Sequence, residues 1–534
     1  MLGKRSSQRS LFEAGVQYPD LVSEQSFYRF LSRERQGLFK DEDYAVLYHA
    51  KLGRPSVPPS LLATALVLQT YAKVSDEEAA ERAAYDLRWK IALGLGLEDI
   101  PFAKSTLQLF RAQLLVHDLG KQAFERSLKL ARNRGHLKGR MRLAVDTTNV
   151  LGRGAVKDTY NLLGDGIALL MRALAGQETQ EVEDWATTRK LGRYVSGSSL
   201  KGEADVDWDD PAARKRLLAE IVADADRLLE LTREARGRLG KDSDEEHALV
   251  AAAEPLSQVL LQDIDRNEDG PGLHDGVAKG RMPSVHDPEM RHGHKSSNKR
   301  FDGHKVQIAV ATETPFITAV AILAGNAPDN EGTLALVEAS EKNTGSEVSE
   351  TVADCAFGDG QTRAAFAGAR RKLVAKVPVM RNRGRFPKTD FVIDVEAQTC
   401  TCPAGQAGLA SYHKAARDGE RRLRGFRFAA TICAACPLRT QCVGGASGRS
   451  VSVHPQEVLI QEARAFQKSP EFHPFKAARQ AAEHRLARLI QLGIRQARYI
   501  GRAKTLFQSL MAAAVANLTL SATLERALEA QIAA

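Results

Sequence analysis

Two stretches far apart in the chain run from apolar residues straight into a carboxylate. Leu143-Ala-Val is followed by Asp146, and Val352-Ala by Asp354. A short apolar run bounded by polar residues and glycine reads as a buried strand. The first strand is expected to end in Asp146, with Thr147, Thr148 and Asn149 turning the chain toward Gly152 and Gly154. Glu350-Thr-Val-Ala353 repeats the pattern and ends in Asp354, ahead of Gly358. An acid held at the open end of a rigid strand can grip a divalent cation, and two on adjacent strands can share a pair of ions. An Asp that merely starts a turn explains either stretch equally well when taken alone.

The neighbouring pattern supports a sheet. Gly303 to Ala311 alternates over its first half, and Phe316 to Leu323 is a second apolar run. Gly325-Asn-Ala-Pro-Asp-Asn330 then turns into a helix near Glu331, and Leu373 to Val379 is a further strand. Strands joined through crossover helices predict an α/β fold with a mixed sheet. Cys355, behind its strand, is expected to be buried.

A chain of 534 residues exceeds one compact core, so the rest must be divided. Residues 20 to 135 read as short helices. Ser60 is the expected N-cap of one helix, and Ser75 of another with Glu78 at the third position after it. Lys104-Ser-Thr106 opens a third. Basic residues near such helix starts suit DNA, and a plain helical bundle suits the same pattern. From about 155 to 285 the chain is polar and helical, with Leu217, Leu218, Ile221, Val222, Ala225, Leu228 and Leu229 at helix spacing. No apolar run approaches the roughly 20 residues of a bilayer span, and no secretory signal opens the chain, so a cytoplasmic protein without membrane contact is expected.

Net charge is +9, which favours a polyanionic partner. The excess is concentrated late. Between Lys476 and Lys504 lie Arg479, Arg485, Arg488, Arg495, Arg498 and Arg502, with Glu483 the only acid. Such a segment repels itself unless a polyanion covers it. Glu483 is therefore a third candidate metal ligand. An intrahelical pair with Arg479, one turn earlier, accounts for it equally well.

Five of the six cysteines fall between 400 and 442. Cys402, Cys433, Cys436 and Cys442 offer four thiolates, one C-x-x-C pair among them, enough for tetrahedral Zn²⁺ in a structural site with no open position. Cys400 can replace Cys402, since the two lie close together. The surrounding Arg421, Arg422, Arg424 and Arg427 suggest a DNA-facing flap. His292 and His294 beside Lys295 are read as phosphate contacts or solvent-exposed groups in a basic loop.

The three acids with their surroundings resemble the DDE transposases of bacterial insertion sequences, in the group with a cysteine-rich insert. The resemblance rests on Ala144-Val-Asp-Thr-Thr148, Asp287-Pro-Glu-Met-Arg-His-Gly-His-Lys295, Arg300-Phe-Asp-Gly-His-Lys305, Gly325-Asn-Ala-Pro-Asp329, Val352-Ala-Asp354, Arg479-Gln-Ala-Ala-Glu483 and Arg495-Gln-Ala-Arg-Tyr-Ile-Gly-Arg502. It implies an RNase H-like core with Asp146, Asp354 and Glu483 as the catalytic triad on two Mg²⁺ or Mn²⁺ ions. About 3.5 to 4 Å apart, two such ions stabilise the attacking and leaving oxygens of phosphoryl transfer. Lys476 stands where such relatives carry Tyr, and Ile490 where they carry Lys, with Arg488 as the available substitute. Asp329 is a rival second acid, but it reads as a helix cap.

The resemblance further implies a helical DNA-binding domain (1–138) and a catalytic core split over 139–154, 286–380 and 455–505. A helical insertion (155–285), a zinc-binding insert (381–454) and a C-terminal helix (506–534) complete the division. Arg300, Lys305, Arg479, Arg485, Arg488, Arg495, Arg498 and Arg502 are the expected contacts to double-stranded DNA, both terminal inverted repeats and target. Synapsis of two ends implies a homodimer or larger assembly on DNA. The expected activity is cleavage and strand transfer. A zinc-stabilised DNA-binding protein with a dead core, or a nuclease that does not join, fits the same residues.

Overall fold

The computed structural model describes residues 1–6, 8, 10–195, 197, 199–296, 298–414 and 421–533. Its central sheet has six strands: β1 (Met141–Leu151), β2 (Arg291–Ser296), β3 (Lys299–Ala311), β4 (Ile317–Ala324), β5 (Val348–Ala353) and β6 (Leu373–Ala375). The order across it is β4-β3-β1-β5-β6, with β2 beside the start of β3. Pairings among β2, β3, β4 and β1 are antiparallel, and β1-β5 and β5-β6 are parallel. Helices flank this mixed α/β sheet, which is consistent with the RNase H-like core implied above.

β1 runs through Asp146 instead of ending on it, which corrects the sequence reading. Thr147, Thr148 and Val150 are β-branched and suit a pleated surface. The ladder to β3 accordingly continues from Leu143–Ala311 to Leu151–Gly303. What stops short of Asp146 is the other ladder: β5 pairs with β1 only as far as Ala144–Val352. Asp146 therefore has a strand on one side and open space on the other. Gly303 lies at the crowded end of β3, where φ is +150° and a side chain would meet the Val150 carbonyl at 2.2 Å.

Several other expectations change. Arg291–Ser296 pairs antiparallel with the start of β3, Lys299 to Gly303, so His292 and His294 sit on a strand and not in a loop. Ser60 lies inside the helix Pro59–Ala72, and Asp41 Oδ1 accepts its N–H at 2.9 Å. The Asp41 carboxylate thus serves the helix start that Ser60 was expected to cap. Ser75 does cap Asp76–Tyr85, accepting the Glu78 N–H. Asp329 is not a cap: Gly332, in the left-handed conformation, precedes the helix Thr333–Thr344. Cys355 is exposed, because the chain leaves the sheet at Asp354 into a surface 3₁₀ turn. The segment from about 155 to 285, read as polar and helical, also contains a hairpin, Ile264–Asn267 with Gly270–Leu273.

The apolar groups collect in separate clusters. The largest joins the N-terminal helices (Phe30, Trp89, Phe124), the sheet (Leu143, Val145, Ile308) and the late helices (Leu486, Leu489, Val515). Each such fully buried side chain contributes roughly 1.5–3 kcal/mol, and this shared core locks the N-terminal helices to the sheet. Residues 160–285 have their own cluster around Leu162, Trp185 and Leu256. Residues 391–451 have a third around Phe391, Phe426 and Phe428.

The helix Arg502–Ala533 bears on the expectation that no apolar run in the chain approaches a bilayer span. Its stretch Arg502–Ile532 is long and apolar enough to cross one, but 72% of its most apolar window is buried in the protein. It packs on β4 and on the N-terminal helices. Buried Asn517 clamps it there, accepting the Ile317 N–H at 2.9 Å and donating to the Ile317 carbonyl at 2.9 Å. Asn517→Ala leaves both groups on an edge strand unpaired, and is expected to lower stability by about 2 kcal/mol in denaturant unfolding.

Candidate active site

Three elements converge where the β5 ladder stops. Asp146 lies on β1, and Asp354 follows β5 directly. Glu483 comes from the helix His473–Gln491, whose Ala482, Leu486 and Leu489 are buried and which packs on β1, β3 and β5. All three carboxylates line one cleft of about 450 Å³. Thr148, Asn149, His294, Lys295, Lys305, Asp329, Arg479, Ile490 and Arg495 line it too.

The electrostatics reflect this crowding. The Asp146 carboxyl is pushed up to about 6, first by burial, with the charges of Asp354 and Glu483 adding to it. The Thr147 N–H, donated to its Oδ1 at 2.7 Å, and the Arg479 guanidinium oppose the rise without cancelling it. Asp354 Oδ1 accepts the Ala356 N–H at 2.8 Å, which fixes its rotamer at the head of the 3₁₀ turn. Glu483 is held by Arg479 at 2.7 Å, the intrahelical pair that the spacing allowed. Among the described residues, no three His, Cys, Asp or Glu side chains are spaced as they stand to hold a metal ion.

The expected DNA-contact residues divide. Lys305, Arg479 and Arg495 line the cleft. Lys305 Nζ donates to Asp329 Oδ1 at 2.7 Å and to the Ala327 carbonyl at 2.7 Å. Arg495 donates to Asn149 Oδ1 at 2.6 Å and to the Asn149 carbonyl at 2.9 Å. Arg300 is exposed on β3. The others turn elsewhere. Arg485 donates to the Pro315 carbonyl, with burial pulling its guanidinium down to about 10. Arg488 reaches Gln491, Arg498 reaches the Val74 carbonyl and Asp76, and Arg502 pairs with Glu289 at 2.9 Å. Asn149 and Lys295 were not singled out as cleft residues. The alternation that puts Asn149 opposite Lys305 across the ladder was the available signal, once β1 was carried past Asp146.

Cys402, Cys433, Cys436 and Cys442 line a second, small cavity of about 30 Å³. The Cys442 thiol is raised by burial and by its three cysteine neighbours. Cys400 is outside that lining, in the apolar cluster of the insert, and burial pushes its thiol up to about 11. Arg424 and Arg427 lie on the strand Arg421–Arg427, and the side chains of Arg421 and Arg422 lie outside the described residues.

Comparison with known families adds two matches. Residues 17–113 match the family described as Transposase domain (DUF772). Residues 401–520 match Transposase DDE domain, which takes in the insert from Cys402 onward, Glu483 and the basic segment but neither Asp146 nor Asp354. No curated protein and no solved structure matched. Transposase-domain matches toward both ends of one chain, with a mixed α/β sheet between them, indicate a DDE transposase of the insertion-sequence kind.

Proposed function

We propose that the protein cleaves DNA at the inverted-repeat ends of its own element and joins the freed end to a target. The observation that carries this is the convergence of Asp146, Asp354 and Glu483 on one open cleft, where burial first, and then the charges of the two other acids, raise the Asp146 carboxyl. Three hard oxygen donors brought to one open cleft suit divalent metal. Asp146, Asp354 and Glu483 would hold two Mg²⁺ or Mn²⁺ ions, Glu483 exchanging its Arg479 partner for one. When bound, such ions stabilise the attacking and leaving oxygens of an in-line displacement at phosphorus.

The chain's own groups bind and orient. Lys305, braced by Asp329, and Arg495, braced by Asn149, present fixed cations to phosphodiester oxygens. Arg479 takes a phosphate contact once Glu483 is released. Water attacks first and a DNA 3′-hydroxyl second, with no covalent enzyme intermediate. Residues 1–138 would bind the ends, as a homodimer or larger assembly. The test is a nicking and joining assay on duplex DNA carrying the terminal repeats, with and without Mg²⁺. Metal-dependent cuts at the repeat boundary followed by joined product support the reading, cuts without joining reassign the protein as a nuclease, and DNA binding without cuts makes it a DNA-binding protein.

For the insert we propose structural Zn²⁺ on Cys402, Cys433, Cys436 and Cys442, supported by four thiols on one small cavity. Purified protein is expected to carry one zinc per chain. Cys433→Ser should release it and expose residues 391–451 to limited proteolysis, and wild-type protein without zinc would end the proposal.

A further inference from the structure

A further cavity, of about 300 Å³, lies behind the cleft wall. The wall is the pairing of Leu151 with Gln496, where Leu151 donates to the Arg495 carbonyl at 2.9 Å and accepts from Ala497 at 2.8 Å. Arg495 faces the carboxylate cleft, while Gln496 lines this further cavity together with Lys73, Arg111, Arg153 and Arg498. One acid, Asp76, answers these four cations. It accepts from Arg111 at 2.6 Å and from Arg498 at 3.1 Å.

The remainder is unbalanced. Arg111 is buried, and its Nε has no partner. Lys73 and Arg153 are exposed and carry no side-chain partner among the described residues. Lys73 stands in the left-handed conformation that ends the helix Pro59–Ala72, a position that ordinarily favours glycine. Gln69, Gln496 and Gln508 add neutral amides to the lining. Those amides already donate to Asp76, to the Gly152 carbonyl and to the Gly493 and Gln496 carbonyls, so Lys73, Arg153 and the Arg111 Nε are what remain. Cations around a pocket of this size suit an anion with many acceptor oxygens, which is the chemistry of phosphate.

We propose that this cavity is a second phosphate-binding site, which takes a phosphodiester of the DNA strand leaving the carboxylate cleft past Asn149 and Arg153. The proposal rests on the reading that the cleft holds DNA. It assigns Lys73, at the C-terminal end of the helix Pro59–Ala72, a part in guiding that strand.

The test uses full-length protein and a labelled duplex bearing the element's terminal repeat. The double variant Lys73→Ala, Arg153→Ala alters two exposed side chains, and its unfolding curve should match wild type. Its binding is expected to weaken about tenfold, with the slope of log affinity against log salt shallower by about 2. Lys241→Ala, on the exposed surface of the insertion, should leave both unchanged. Phosphate ethylation interference should lose one or two positions in the double variant and keep those at the cleft. An unchanged slope and interference pattern overturns the proposal while cleavage by wild type leaves the cleft reading standing. If wild type neither binds nor cuts the duplex, the cleft reading fails and this one with it. If inorganic phosphate competes far better than chloride at equal ionic strength, the pocket belongs to free phosphate and the strand assignment is overturned.

Discussion

Asp354→Asn is expected to abolish strand cleavage, by about 10³-fold or more, while binding of end DNA stays within about threefold. Losing an outer-shell partner of a metal ligand already costs roughly 10- to 100-fold, and Asp354 is proposed as a ligand itself. The substitution keeps the shape, and the amide oxygen can still accept the Ala356 N–H that Asp354 Oδ1 takes at 2.8 Å. The fold should therefore survive, and circular dichroism with an electrophoretic binding assay would check it. Asp146→Asn should behave alike. Removing that charge also relieves repulsion in the cleft, so the variant should be no less stable than wild type near neutral pH. An Asp354→Asn protein that cuts at the wild-type rate would remove Asp354 from the site and return Asp329 to consideration.

Asp76→Ala carries the largest expected effect on stability, roughly 3 kcal/mol. Asp76 ties three parts of the fold together. It accepts from Gln69 at 2.7 Å, from Gln108 at 3.2 Å, from Arg111 at 2.6 Å and from Arg498 at 3.1 Å. Deleting it leaves the buried Arg111 charge without its acid. Burial by itself would raise the Asp76 carboxyl, but hydrogen bonds from Arg111, Gln69 and Gln108 outweigh it and hold the group well below the usual range. A depressed folded value means that the unfolded chain takes up the proton first. The stabilisation is complete above the ordinary Asp value of about 3.9 and is lost as pH falls below it toward the folded value. The gap between wild type and Asp76→Ala in urea unfolding should therefore be constant from about pH 5 to 7 and narrow below about pH 4. A gap that widened on acidification would contradict the network.

Arg498 and Arg485 illustrate what residue type alone leaves open. Both belong to a basic segment that looks made for DNA, yet one is spent on Asp76 and the other on the Pro315 carbonyl. Arg495, three residues before Arg498, does face the cleft. The chain turns before Gln496, bridges to Leu151 there and bends after it, so a few residues decide between facing the carboxylate cleft and pairing with Asp76. Asp146 shows the same limit on β1. Its polar neighbours read as a turn because half-buried strands beside a cleft carry Thr and Asn where a core strand would carry Val. Cys355 was read as buried from its place behind a strand, and the turn begun by Asp354 carries it to the surface.

What the residues determined by themselves is local and chemical. Apolar runs that meet acids, one acid in a basic segment, four crowded cysteines and a capped helix at Ser75 are all readable from composition and spacing, because each depends on neighbours in the chain. The meeting of Asp146, Asp354 and Glu483 in one cleft, the bracing of Lys305 by Asp329 and the burial of the helix Arg502–Ala533 in a shared core were decided only by the tertiary structure. Those contacts join groups that are distant along the chain, and it is the order of strands, with β5 stopping beside β1 at Ala144, that brings them within reach.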